Sequence, residues 1–160
     1  MSKFKAVVIS ISDTRDESND ASGDLLVGLL LESGTDVIGK TIVSDEMEGI
    51  AEVLRRFADA GDIDLILTTG GTGLSPRDNT PEATRAVIER EAPGIAEAMR
   101  RETSTNAPMA VLSRGVCGTR SGTLIINLPG SPKGVRECFE VIRPVLSHAM
   151  DQVRGKNTHK

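Results

Sequence analysis

Tryptophan and tyrosine are absent from this 160-residue chain, and phenylalanine occurs only three times. Without aromatic platforms, recognition of single-stranded nucleic acid by base stacking is disfavoured. Positive charge is short as well. Nineteen Lys and Arg against 23 Asp and Glu leave a net charge of −4, which argues against a phosphate-backbone partner. Cys117 and Cys138 are the two cysteines and form no CxxC pair, so neither a zinc site nor a disulfide framework is suggested. His148 falls in a C-terminal helical pattern and His159 in the tail, which leaves no histidine well placed for acid–base work. No apolar run is long enough to cross a bilayer, and the start MSKFKAVVIS has too short a run for a signal peptide. The expectation is a cytosolic chain without a nucleic-acid or membrane partner. It reads as one domain over 1–160, since there are no internal repeats and no linker, with a loose tail from about residue 154.

What the chain does have is glycine, 16 residues in all, three of them within Gly70–Gly73, where one stretch changes character. In LILTTGGTGLSPRDNTPEAT (Leu65–Thr84), the apolar start reads as a strand entering a core. Thr68–Gly73 then carries almost no side-chain bulk, a polar loop with Arg77 and Asp78 follows, and Thr80-Pro81 opens a helix. Such a succession lets backbone amides approach an anion closely.

The remaining chain alternates strands and helices. The β-branched run in Phe4–Ile11 predicts a strand buried on both faces. A helix follows from about Ser22 to Gly34, then a strand over Asp36–Val43 and a helix over Glu46–Ala60 with Asp45 as its cap. After the glycine stretch, helices are expected from Pro81 to about Arg90 and from Pro93 to Thr103, with a short extended piece at Ala110–Leu112. Ser121-Gly122 joins strands Gly115–Arg120 and Thr123–Leu128 in a hairpin. Pro129–Pro132 turns into a last amphipathic helix that Pro144 is expected to kink or split. The pattern predicts an α/β fold: three layers, α/β/α, with a mostly parallel central sheet plus one antiparallel hairpin strand.

In parallel sheets ligands bind beyond the carboxyl ends of the strands. Polar residues collect at those ends here: Ser12-Asp13, Ser44-Asp45, the glycine loop with Asp78, and Asn127 with Pro129-Gly130-Ser131. The loop is not a P-loop, because no Gly-Lys-Ser/Thr follows, and not GxGxxG. Read alone it is equally a tight turn, and Gly130-Ser131-Pro132 equally an ordinary capped helix start. Asp45 reads alone as an N-cap, Asp78 as a loop acid solvated or paired with Arg77, and Asp13, Asp16, Glu17 and Asp20 as a solvated acidic loop. Facing one ligand, Asp45 and Asp78 would suit Mg²⁺ shared with substrate phosphates. Arg77, Arg114, Arg120 and Lys133 fall in loops near the presumed site edge, where each is a surface cation or an anion contact. Cys117 and Cys138 read as packing, and no activated nucleophile is apparent, so positioning-dominated chemistry on a phosphate remains.

Taken together, SISD (Ser10–Asp13), DASG (Asp20–Gly23), VSDE (Val43–Glu46), TTGGTGLSPRDNTPEAT (Thr68–Thr84), LSRG (Leu112–Gly115) and TLIINLPGSPK (Thr123–Lys133) resemble the Mog/MoaB-type family of molybdenum cofactor biosynthesis. The likeness is strongest to the molybdopterin adenylyltransferases, including the plant and animal G domains, and it covers Phe4 to about Val153. It implies transfer of AMP from Mg-ATP to molybdopterin, release of pyrophosphate, a homotrimer, and hand-over of the product to the metal-inserting protein. It also implies that Asp45 and Asp78 are catalytic and hold the metal. Ser12, Asp13, Thr69, Gly70, Gly71, Thr72, Gly73, Ser75, Thr103, Pro129, Gly130 and Ser131 are then the substrate-binding set. Thr103 keeps the hydroxyl that the plant member carries as serine. Retention of Asp45 and Asp78 argues against the family's non-adenylylating branch. The alternative is a non-catalytic molybdopterin-binding or scaffold protein of the same pathway.

Overall fold

The computed structural model describes residues 3–156; the tail from residue 157, including His159, lies outside the described residues. Six strands form one sheet: β1 (Lys5–Ile11), β2 (Asp36–Val43), β3 (Leu65–Thr69), β4 (Arg90–Glu91), β5 (Cys117–Arg120) and β6 (Thr123–Leu128). The spatial order is β2-β1-β3-β6-β5-β4. β2, β1, β3 and β6 run parallel, whereas β5 pairs antiparallel with β6 and the two-residue β4 pairs antiparallel with β5.

Alternation along β1 decides the layers. Ala6 and Val8 point to one face and Val7, Ile9 and Ile11 to the other. The first face is covered by α1 (Ala21–Glu32), α4 (Pro93–Thr103) and α5 (Pro132–Val153). The second is covered by α2 (Met47–Ala58) and α3 (Thr80–Val87). With helices on both faces the Ala6–Ile9 stretch of β1 and the Leu65–Leu67 stretch of β3 can be apolar without a break, which is why they read as unbroken apolar runs rather than alternating ones. The three-layer α/β/α expectation is met.

Local chemistry departs from the sequence reading in several places. Asp20, expected in a solvated loop, is the N-cap of α1 and is 1% exposed. It takes a 2.5 Å hydrogen bond from Ser10 Oγ and an ion pair from Lys40 at 2.9 Å. Burial pushes its carboxyl up, but the Ser10, Lys40 and Gly23 donors outweigh this and hold it below the usual range. Asp45 does not cap α2; that helix starts after Glu46 with no side-chain cap, because the Asp45 carboxylate turns back toward β1. The segment Pro108–Leu112 is a 3₁₀ turn rather than extended. α3 stops at Val87, earlier than expected, and the chain enters β4. α5 is not split; it continues through Pro144 to Val153.

The opening of the tail is also more ordered than expected. Arg154 pairs with Asp64 and stacks on the Phe4 ring at 4.8 Å, while Asp64 accepts the Lys5 N–H at 2.8 Å. This closes the amino-terminal end of the sheet, away from the strand ends that carry the polar loops. Among the described residues, no helix is long and apolar enough to cross a membrane.

Candidate functional site

The chain reverses direction across the sheet between β1 and β3: from β1 it moves outward to β2, then returns to the other side of β1 to form β3. The loops leaving β1 and β3 therefore diverge and open a crevice, as happens at a topological switch point. Gly70 closes its floor. Its φ is +103°, and a Cβ there would lie 2.4 Å from the Ile11 carbonyl oxygen at the end of β1. Gly71 (φ +69°) has no room either, since a Cβ would meet Thr80 Oγ1 at 2.3 Å and Asp45 Oδ1 at 3.2 Å. The glycines thus let three strand ends and the start of α3 converge on bare backbone.

The loop is fastened from below. Thr80 Oγ1 donates to the Gly70 carbonyl at 2.9 Å and Thr69 Oγ1 donates to Pro129 O at 2.7 Å. Arg114 donates through Nε to Gly73 O at 2.8 Å and through Nη2 to Asp78 O at 2.8 Å, and makes a bidentate pair with Glu82. Its guanidinium is a buttress for the loop that carries Asp78 rather than a free anion contact. On the far wall, Arg15 Nη2 and Ser22 Oγ both donate to Gly130 O, at 2.5 and 2.6 Å, and fix the turn that opens α5. Sequence reading missed Arg15, Ser22, Thr80 and Glu82. Their partners lie 10 to 115 residues away along the chain, so spacing does not reveal the pairs, although Ser22, Thr80 and Glu82 fall inside the quoted motifs.

The two acids flank the glycine loop. Asp13 and Asp45 exchange hydrogen bonds: the Asp13 N–H donates to Asp45 Oδ2 and the Asp45 N–H to Asp13 Oδ1, both at 3.0 Å. Arg77 bridges Asp13 and Glu46, at 2.7 and 2.9 Å. Asp78 Oδ2 accepts the Ser75 N–H at 3.0 Å, and its loop is closed by the Asp78 N–H to Ser75 O. Burial, then the charges of Asp13 and Asp78, raise the Asp45 carboxyl above its ordinary 3.8. An acid whose folded value is raised loses its proton less readily in the fold. Asp45 therefore weakens the structure as pH climbs from 3.8 through that higher value. In Asp13→Asn the Asp45 carboxyl should titrate lower than in the parent, because the second-largest cause of the shift is removed while the side-chain oxygen still accepts the Asp45 N–H. Carboxyl ¹³C NMR across pH 2–7 reads this directly; an unmoved or raised midpoint would refute the coupling.

A cavity of about 470 Å³ opens beside the loop, a size suited to a small-molecule ligand. Its walls include Gly71, Thr72, Gly73, Asp78, Thr103, Pro129, Gly130 and Ser131 from the expected set. Asp45 stands at the loop's other side. Six expected residues do not line the cavity: Asp45, Gly70 and four whose polar groups are engaged elsewhere. Ser12 spends its hydroxyl on the Thr14 and Arg15 amides, and Thr69 on Pro129. Asp13 is committed to Asp45 and Arg77, and Ser75 to its own loop. Gly70 forms the floor beneath. Thr103 lines the wall, with its hydroxyl donated to Met99 O. Lys133 lies at the rim, whereas Arg120 lies at the other end of the sheet, paired with Asp59. Asn127, buried at the end of β6, crosslinks Thr68, Thr84 and the Val116 N–H. Cys138 lines the cavity and Cys117 packs in the core, and burial pushes their thiols up to about 11 and about 12, so both are neutral at physiological pH.

Among the described residues, no group of three or more acids, histidines or cysteines is arranged as a metal site. The donor set does fit Mg²⁺ bound through one or two carboxylates and substrate phosphates: Asp45 Oδ1 has no hydrogen-bond partner among the described residues, and the Asp45 carboxylate feels the unfavourable charge of Asp78.

Fold and site together define an α/β protein with a glycine-floored cleft at the switch point of a mostly parallel sheet. The family is narrower than that. The family model described as "Probable molybdopterin binding domain" matches residues 7–148, and the chain belongs to that family. The chain is 46% identical over 147 residues to the Molybdenum cofactor synthesis protein cinnamon of Drosophila melanogaster, covering 89% of this chain and 24% of that protein. It is 45% identical over 114 residues to a Molybdopterin adenylyltransferase of Helicobacter pylori, covering 71% of this chain and 65% of that protein. The chain thus spans less than two thirds of either relative. A crystal structure of the Molybdopterin biosynthesis enzyme MoaB from Thermus thermophilus superposes with a TM-score of 0.89 at 48% identity, covering 98% of this chain and 99% of that one.

Proposed function

We propose that this protein acts in molybdenum cofactor biosynthesis as a molybdopterin adenylyltransferase. The observation that carries the reading is the pair of coupled acids, Asp45 and Asp78, set on either side of an amide-lined glycine loop. That arrangement offers anion-binding backbone and cation-binding carboxylate within one cleft. Molybdopterin and ATP are the substrates. An oxygen of the pterin phosphate attacks the α-phosphorus of ATP. The bond to the bridging oxygen of the β-phosphate breaks, pyrophosphate leaves with the electron pair, and a new phosphoanhydride links AMP to the pterin.

The chain's own part is positioning and charge control. The Gly71–Gly73 amides and the start of α5 at Gly130-Ser131 orient phosphate oxygens, and the helix N-terminus favours their charge. Asp45 and Asp78 would hold Mg²⁺, which supplies neutralisation of the charge that develops on the triphosphate. Arg114 keeps Asp78 and Gly73 in register. The protein is further proposed to be a cytoplasmic homotrimer that hands its product to the molybdenum-inserting protein.

Purified protein mixed with molybdopterin and Mg-ATP should release one pyrophosphate per adenylylated pterin formed, by coupled phosphate assay and mass spectrometry. Tight pterin binding with no ATP consumed would instead select the non-catalytic binding protein, and neither activity would leave a scaffold.

A further inference from the structure

The cavity has a second pole that the phosphate chemistry does not use. Along α5, Gly134, Glu137 and Cys138 follow Ser131 at the i, i+3, i+4 spacing of one helix face, and all four line the same cavity. Glu137 lies six residues beyond the helix cap, about 9 Å along the axis at 1.5 Å per residue. Its side chain is 22% exposed. Its carboxylate takes no hydrogen bond from any described residue, and its one ion pair is a 4.0 Å approach by Lys133, which is itself 75% exposed. The same cavity is lined in part by apolar groups, Met99, Leu112 and the neutral Cys138 thiol among them. A partly buried acid whose carboxylate takes no hydrogen bond from the described residues, in the same cavity as the glycine loop and the start of α5, is free to accept donors that a ligand brings.

We propose that Glu137 is the specificity residue for the heterocycle, accepting the paired N–H groups of a 2-amino-4-oxopyrimidine edge such as a pterin carries. This rests on the reading of the cleft as a pterin phosphate site, and it assigns the direction in which the pterin lies: phosphate at Gly71–Gly73 and Gly130-Ser131, ring edge at Glu137. The chemistry discriminates. A carboxylate offers only acceptors, so it matches adjacent ring N–H and amino donors and repels the acceptor nitrogen on the edge of adenine. The cavity so lined selects the pterin over the nucleotide base.

The test is a cycle that removes either side of the contact. Binding of 6-hydroxymethylpterin phosphate and of its 2-deamino counterpart is titrated by pterin fluorescence, which a chain without Trp or Tyr does not obscure. Wild type should bind the amino compound about 10- to 100-fold more tightly than the deamino one, and Glu137→Gln should lose that preference with an unchanged melting temperature. In turnover, Glu137→Gln should raise KM for the pterin and leave KM for ATP unchanged. A preference retained in both Glu137→Gln and Glu137→Ala would overturn the assignment while leaving adenylyl transfer untouched. Wild type that binds the pterin but releases no pyrophosphate would overturn the transferase reading, with Glu137 still judged by the binding cycle. Wild type that binds neither compound would overturn both.

Discussion

Asp78→Asn is expected to slow pyrophosphate release by about 10²- to 10³-fold, the loss typical of removing one preorganised electrostatic group from an active site. The substitution is close to isosteric, and the structure explains why little else should change. The Asp78 backbone is held by Arg114 Nη2 at its carbonyl and by Ser75 O at its N–H. The side-chain oxygen that accepts the Ser75 N–H is retained in asparagine. What disappears is the negative charge, and with it both the proposed cation ligand and part of the repulsion that raises Asp45. The melting temperature should therefore stay within about 2 °C of wild type. Single-turnover kinetics with saturating ATP make the measurement, and an unchanged rate would remove Asp78 from catalysis.

Gly70→Ala should fail in a different way, through the fold itself. The new Cβ would be placed 2.4 Å from the Ile11 carbonyl oxygen, a backbone atom at the end of β1 that no side-chain rotation can move. The residue would also have to hold a φ of +103°, a conformation that costs an L side chain about 1–3 kcal/mol before the clash is counted. A loss of about 3 kcal/mol or more follows, equivalent to about 6–12 °C in a domain of this size. Thermal unfolding by circular dichroism tests this. Gly28→Ala is the matched control: it lies inside α1 with nothing within 4 Å of the added Cβ, so it should be neutral or stabilising by about 0.5–1 kcal/mol. If the two variants melt together, Gly70 is not the constraint described.

The strands were legible because burial on both faces leaves an unambiguous apolar run, as in Ala6–Ile9 and Leu65–Leu67. The hairpin turn was legible because Ser121 (φ 49°) and Gly122 (φ 82°) occupy conformations that few residues tolerate. Errors fell where a local signal had a tertiary competitor. Asp45 has the chemistry of a helix cap, yet its carboxylate is held by the Asp13 N–H across the β1–β2 edge. Asp20 sits in an acidic run that looks solvated, yet Lys40, from the neighbouring strand, arrives to compensate its burial. Arg114 and Arg120 look alike as loop cations, but the first braces the glycine loop and the second lies at the opposite end of the sheet.

By itself the sequence determined the α/β layering, the glycine loop after β3, and the two acids at the strand ends, because periodicity, bulk and charge are local properties of the chain. Tertiary structure alone decided which groups face the cavity and which are spent on one another. The switch point between β1 and β3 brings Asp13 onto Asp45, Arg15 onto Gly130 and Arg114 onto Asp78, while leaving Glu137 in the cavity without a donor. Those pairings are fixed by the crossing of distant loops, and no spacing along the chain encodes them.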